Sequence, residues 1–142
     1  MAKFNTDRIR QLAGEINLSL SNLEFTGRLK EEDFLNSPEK IDSAKYNLVV
    51  AIEGAIDICN HIVAKAGGRA PSDYSDCFAI LGELGVFPGE FVERLKRMAK
   101  FRNLLVHLYW QVDNRKVHEV IKKDITDLKI YLQGVGKFIG EV

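Results

Sequence analysis

Apolar residues in this chain return every three or four positions, and no stretch alternates apolar with polar residues as a half-buried strand would. The longest run is Ile41, Ala44, Leu48, Ile52, Ala55, Cys59 and Ile62, which is the period of one face of an α-helix. Ser37-Pro38-Glu39 precedes it as cap and first turn, and Gly67-Gly68 follows it as a stop. The same reading predicts a first helix capped by Thr6, carrying Ile9, Leu12, Ile16, Leu20 and Leu23 and running to about Leu35. Residues 69–74 form a loop, and Ser75 caps a short helix through Phe78, Ile80 and Leu81 that Gly82, Gly85, Pro88 and Gly89 break off. A fourth helix runs from near Gly89 through Phe91, Leu95, Met98 and Phe101 toward a turn at Asp113-Asn114. A final helix from about Arg115 carries Val117, Ile121, Leu128, Tyr131, Val135 and Phe138, weakened by Gly134, Gly136 and Gly140. Helices joined by short connections predict an all-α fold, an antiparallel bundle of four to five helices. At 142 residues the chain suits a single domain spanning 1–142.

Charge narrows the partners. Twenty basic and twenty acidic residues cancel, so the chain has no global field for gripping nucleic acid or an anionic membrane. A nucleic acid must meet a local patch, and Arg94, Lys96, Arg97, Lys100 and Arg102 are the candidates. The alternative is that Arg94, Lys96 and Arg97 are simply a solvated helix face. Cys59 and Cys77 lack metal-ligand spacing and suggest no disulfide framework, with Cys59 reading as a buried small hydrophobe. Met1-Ala2-Lys3-Phe4-Asn5 shows no apolar signal region, and no stretch reads as a membrane span. A reducing cytoplasm is the expected compartment.

The stretch with reactive side chains is Phe101-Arg102-Asn103-Leu104-Leu105-Val106-His107-Leu108-Tyr109. On one continuous helix Leu104, Leu105 and Leu108 turn toward a core, while Arg102, Asn103, His107 and Tyr109 lie on the other side. Asn103 and His107 are four apart and Arg102 and Tyr109 seven apart, so each pair shares a stripe. Arg102 and His107 are five apart, roughly 140° round a straight helix. They converge on one small ligand only if a side chain reaches round, the helix bends, or a second copy supplies the missing partner. A second polar row, Glu53, Asp57 and His61, recurs every four residues. It is a wet helix face, a divalent-metal row, or a carboxylate-imidazole lining of the cleft that holds His107. His118 is assigned no role.

Arg102 offers a permanently charged planar fork suited to a phosphate or a phosphorane, and imidazole exchanges a proton near neutral pH. Asn103 is placed to orient the imidazole or the scissile phosphate, and Tyr109 presents a hydroxyl. These are the parts that metal-free RNA cleavage needs, although an Arg bound to a bundle carboxylate and an interhelical His satisfy the same spacing. The stretch Arg102-Asn103-Leu104-Leu105-Val106-His107-Leu108-Tyr109 resembles the Arg, four residues, His, one residue, Tyr signature of the HEPN superfamily, in its HepT-like toxin branch. Tyr46, residues 51–62, Pro71, Tyr74 and the stretch from Phe78 through Leu81 and Gly85 to Met98 extend the likeness over about residues 40–110.

The resemblance implies a helical bundle that forms a two-fold homodimer, or a higher even oligomer, around a shared cleft. It further implies metal-independent endoribonuclease activity, with Arg102 and His107 catalytic, Asn103 supporting and no cofactor. Glu53, Asp57 and His61 are carried as supporting residues. The implied partners are an RNA substrate and a minimal nucleotidyltransferase antitoxin, which silences the toxin by transferring AMP to the motif tyrosine, Tyr109 by position. The alternative within the superfamily is a noncatalytic nucleotide-binding or scaffold subunit that docks a nucleotidyltransferase.

Overall fold

The structure is a computed structural model that describes residues 4–140, so the reading of Met1, Ala2 and Lys3 lies outside the described residues. The helices are α1 (Thr6–Gly27), α2 (Glu31–Leu35), α3 (Pro38–Ala66), α4 (Tyr74–Glu83), α5 (Gly89–His107), α6 (Asn114–Lys123) and α7 (Ile125–Gly140). A single 3-10 turn, Tyr109–Gln111, follows α5. Among the described residues there is no strand, as the periodicity predicted.

Side-chain oxygens start four of these helices by accepting an otherwise orphaned backbone N–H. Ser37 accepts from the Lys40 amide at 3.4 Å, with Pro38 in the first helical position as expected. Asn5 rather than Thr6 caps α1, accepting from the Arg8 amide at 3.1 Å. Asp73 rather than Ser75 caps α4, its carboxylate accepting from the Asp76 amide at 2.7 Å. Asp113 caps α6 through the Arg115 amide.

Two long helices inferred from periodicity are each broken. The first stops at Gly27, where a Cβ would come within 2.9 Å of the Ile121 side chain, so α1 and α6 meet closely there. After the turn at residues 28–30, α2 swings Phe34 fully into the core against His118, with ring centroids 5.1 Å apart. His118, left without a role above, is a buried tie: its Nε2 lies 2.9 Å from the Leu29 carbonyl oxygen. The last helix divides at Asp124 into α6 and α7. That break lets Val117, Val120 and Ile121 cover one part of the core while Leu128, Tyr131 and Val135 enter another.

Every other α-helix packs against α3. By length and apolarity this helix matches a membrane span, contrary to the expectation that no stretch does. Its apolar residues are spent inside the bundle, since Leu48, Ile52, Ile58, Cys59 and Ile62 are all essentially inaccessible. Tyr131 of α7 is buried beside it and donates its hydroxyl proton to the Ala55 carbonyl at 2.8 Å, satisfying a polar group that water cannot reach. Gly134 does more than weaken its helix. A Cβ there would stand 2.3 Å from Phe87, whose ring stacks on Tyr131 and packs against Phe91. Cys59 and Cys77 are both free and buried, and burial pushes the Cys59 thiol up, away from the reactive thiolate.

Candidate functional site

Asp42, Tyr46, Val49 and Glu53 recur at spacings of three and four on α3, forming one stripe of that helix. The stripe faces the end of α5. At one end Glu53 binds the Arg102 guanidinium through Nη2, a contact that ties α3 to α5. At the other end the Tyr109 hydroxyl donates to Asp42 Oδ1 at 2.6 Å. The later α3 residue, Glu53, meets the earlier Arg102 while Asp42 meets Tyr109, so α3 and α5 run antiparallel, and Tyr46 stands between the two bridges, 68% exposed.

Arg102 is held from several sides. Its Nη1 donates to Asn103 Oδ1 at 3.1 Å, and its guanidinium carbon sits 5.3 Å from the centroid of the Tyr74 ring. The Nε is buried with no hydrogen-bond partner. Such a buried N–H is costly unless a further acceptor meets it. Asn103 therefore orients Arg102, a contact outside the two roles expected of it, the imidazole and the scissile phosphate. His107 ends α5 and is exposed, so its ring opens to solvent rather than to an interhelical contact.

The continuous helix assumed for the motif does not extend to Tyr109. The Leu108 amide closes α5 on the Leu104 carbonyl at 2.8 Å, and Tyr109 begins the 3-10 turn. Lys45 draws the chain aside there. This nearly inaccessible lysine donates from Nζ to the Tyr109 carbonyl oxygen at 3.0 Å and lies 4.2 Å over the Tyr109 ring. The expected leucine face is corrected too: Leu105 is buried, while Leu104, still within α5, and Leu108, just past its end, are exposed. With the helix ended, Leu108 has no turn of α5 to follow into the core.

Burial and the Asp42 carboxylate together push the Tyr109 phenol up to about 12, because both disfavour a phenolate. Burial pushes the Lys45 ammonium down, and Asp42 opposes that shift. Asp42 and Lys45 were not singled out in the sequence. The only signal available for them was their position on α3, about three and two turns before Glu53 respectively.

The row Glu53, Asp57 and His61 divides. Glu53 turns to Arg102, whereas Asp57 and His61 line a shallow surface depression with Arg8, Asn60 and Ala64. Among the described residues no group of three His, Cys, Asp or Glu side chains is placed to hold a metal ion. The supporting role expected of Asp57 and His61 thus finds no contact with the Arg102 and Tyr109 bridges, because one helix row climbs about 1.5 Å per residue away from them.

The family described as Ribonuclease HepT-like matches residues 5–135. The chain belongs to the HepT-like ribonuclease family. Membership extends well beyond residues 40–110, taking in α1, α6 and most of α7. A candidate ribonuclease of Archaeoglobus fulgidus is 36% identical over 108 residues, 76% of each chain. The Shewanella oneidensis protein named mRNA nuclease HepT is 29% identical over 64% of this chain and 68% of its own. In fold, this HepT-like chain is similar to the tri-AMPylated Shewanella oneidensis HEPN toxin solved with its MNT antitoxin. The TM-score is 0.84 at 23% identity, over 91% of this chain and 96% of that one.

The Tyr109 environment is directly measurable. Ultraviolet titration of the phenolate, taken as wild type minus Tyr109→Phe, is expected to centre near 12 and to fall only part of the way toward 10 in Asp42→Asn, because burial is the larger cause. A wild-type midpoint near 10 would show that the phenol is neither buried nor bonded to Asp42 in solution. Because the fold holds the neutral phenol, its contribution to stability is fully present below pH 10 and is lost as pH rises through about 12.

Proposed function

We propose that this HepT-like chain is a metal-independent endoribonuclease and the toxin of a toxin-antitoxin pair. Arg102 and His107 carry the cleavage. The observation that supports this most is the grouping of Arg102, Asn103 and exposed His107 on the open end of α5. In the reaction a 2′-hydroxyl oxygen forms a bond to the neighbouring phosphorus as its proton passes to an imidazole. The bond from phosphorus to the 5′-oxygen breaks, and that oxygen takes up a proton. The charge built on the phosphorane falls to the Arg102 fork. Glu53 occupies part of that fork in the resting chain, and its half-exposed carboxylate is free to swing out as phosphate enters.

A second copy completes the site in this reading. Exposed Tyr46, Val106, Leu108 and Trp110 rim it, with Trp110 89% exposed and packed edge-on to Tyr109. Soluble chains rarely leave such an apolar group uncovered. A two-fold interface through this rim brings each Arg102 toward its partner's copy of the His107 surface and removes the angular mismatch of one helix. The silencing partner is a minimal nucleotidyltransferase that transfers AMP to Tyr109. The resulting phosphodiester would set negative charge beside Lys45 and displace the Asp42 bond by like-charge repulsion. A noncatalytic HEPN subunit is the second reading, favoured by the engagement of Arg102 with Glu53 inside one chain.

Cleavage of single-stranded RNA is expected to persist in EDTA and to drop at least about a hundredfold in His107→Ala and Arg102→Ala. RNA binding without turnover in the wild type would instead support the noncatalytic subunit. In sedimentation, Trp110→Asp is expected to convert a dimer to a monomer and to lose cleavage with it, whereas an unchanged dimer would place the interface elsewhere. Intact mass after co-expression with the nucleotidyltransferase is expected to show AMP increments that vanish in Tyr109→Phe. Increments indifferent to that substitution would reject Tyr109 as the acceptor.

A further inference from the structure

On the stripe of α5 that ends in His107, a groove of about 300 Å³ separates α5 from α6. Met98, Phe101, Leu104 and Val120 give it an apolar floor, and Arg94, Arg97, Lys100 and Lys116 give it a basic rim, with Asp124 and Asp127 also in its lining. These charges are not equivalent. Arg94 is committed to Asp127 at 3.3 Å and rests 5.1 Å from the Phe91 ring centroid. Lys116 has only an exposed partner, Glu119, at 3.4 Å, a pair of little strength in water. Among the described residues neither Arg97 nor Lys100 has a carboxylate within ion-pairing distance, although Arg97 acts on Asp127 from farther away. A chain of zero net charge thus concentrates uncommitted positive charge along one groove.

Size and chemistry select the occupant. The volume lies at the low end for small-ligand sites, whereas a docked protein helix would need a trough about 10–12 Å wide over several turns. An apolar floor edged by cations matches one nucleotide, with its base on the floor and its phosphate on the rim. Lys100 and His107 are seven residues apart on α5, about 10 Å along a single stripe, and Leu104 lies one turn before His107. A strand leaving the cleavage position along α5 therefore enters the groove. We propose that this groove binds a nucleotide of single-stranded RNA beside the scissile position, an inference that rests on the ribonuclease reading above. Its phosphate meets Arg97, Lys100 and Lys116, and its base covers Leu104 and Phe101. A duplex is excluded because its bases stay stacked and paired, out of reach of the floor.

The test uses the full chain with His107→Ala, to prevent turnover, and a fluorescent single-stranded RNA. Arg97 and Lys100 are exposed, so the double reversal Arg97→Glu with Lys100→Glu leaves the core untouched, and circular dichroism checks its helicity. Affinity is expected to fall more than about tenfold, and the slope of affinity against salt to shrink by about one to two. Leu104→Asp, also at an exposed position, is expected to weaken binding severalfold, and an RNA duplex to bind without responding to it. The milder pair Arg97→Ala with Lys100→Ala should show the same loss of slope if the reversal proves unstable. Wild-type cleavage together with unchanged affinity and slope in the charge variants would overturn the groove and leave the ribonuclease standing. Neither binding nor cleavage by the wild type would overturn both. Loss of purified nucleotidyltransferase capture with RNA affinity intact would assign the groove to protein docking and likewise overturn the proposal.

Discussion

The burial of α3 is the constraint on which everything else in this bundle depends. A helix of 29 residues with apolar side chains on most of its circumference cannot remain in water, and the other six α-helices close over it. What they leave open is the stripe of Asp42, Tyr46 and Glu53 together with buried Lys45. Burial of those polar groups would be costly without partners, and each of the charged ones has found one on the end of α5 or in the turn beyond it. The site is thus the polar seam of an otherwise apolar packing problem.

That seam distributes order unequally. Arg102 is gripped by Glu53, Asn103 and the Tyr74 face, and Tyr109 by Asp42 and Lys45. His107 stands outside both grips. Under the proposed ribonuclease reading, a pre-oriented cation and, on another side of α5, an accessible imidazole suit a site whose remaining walls come from RNA or from a second chain. The apolar rim of Val106, Leu108 and Trp110 is consistent with the same division of labour.

Zero net charge does not argue against nucleic acid once the charges are placed in space. Acidic side chains are drawn into pairs elsewhere, as with Asp76 and Glu83 on Arg69 and Glu24 on Lys129. Asp76 is held well below the usual carboxylate range by Arg69 and the Ser72 amide. Arg97 and Lys100 remain uncommitted beside the motif. Local field, rather than total charge, governs contact with a phosphate.

The apolar period, the Ser37-Pro38 start, the Gly67-Gly68 stop and the motif itself were legible in the chain, because helix geometry is local and repeats every few residues. Breaks at Gly27 and Asp124 were not, since nothing within either segment forbids a longer helix; they are imposed by the close approach of Ile121 and by the two directions in which α6 and α7 meet the core. The end of α5 was missed for a related reason, as Lys45 captures the Tyr109 carbonyl from 64 residues away. By itself the sequence determined the all-α class, the apolar face of α3 and a likeness to the HepT-like family. Only the tertiary structure decided that Glu53 meets Arg102 while Asp42 and Lys45 hold Tyr109. Spacing along a helix tells which residues share a face, but the residue opposite that face is set by packing between helices 49 and 67 residues apart in the chain.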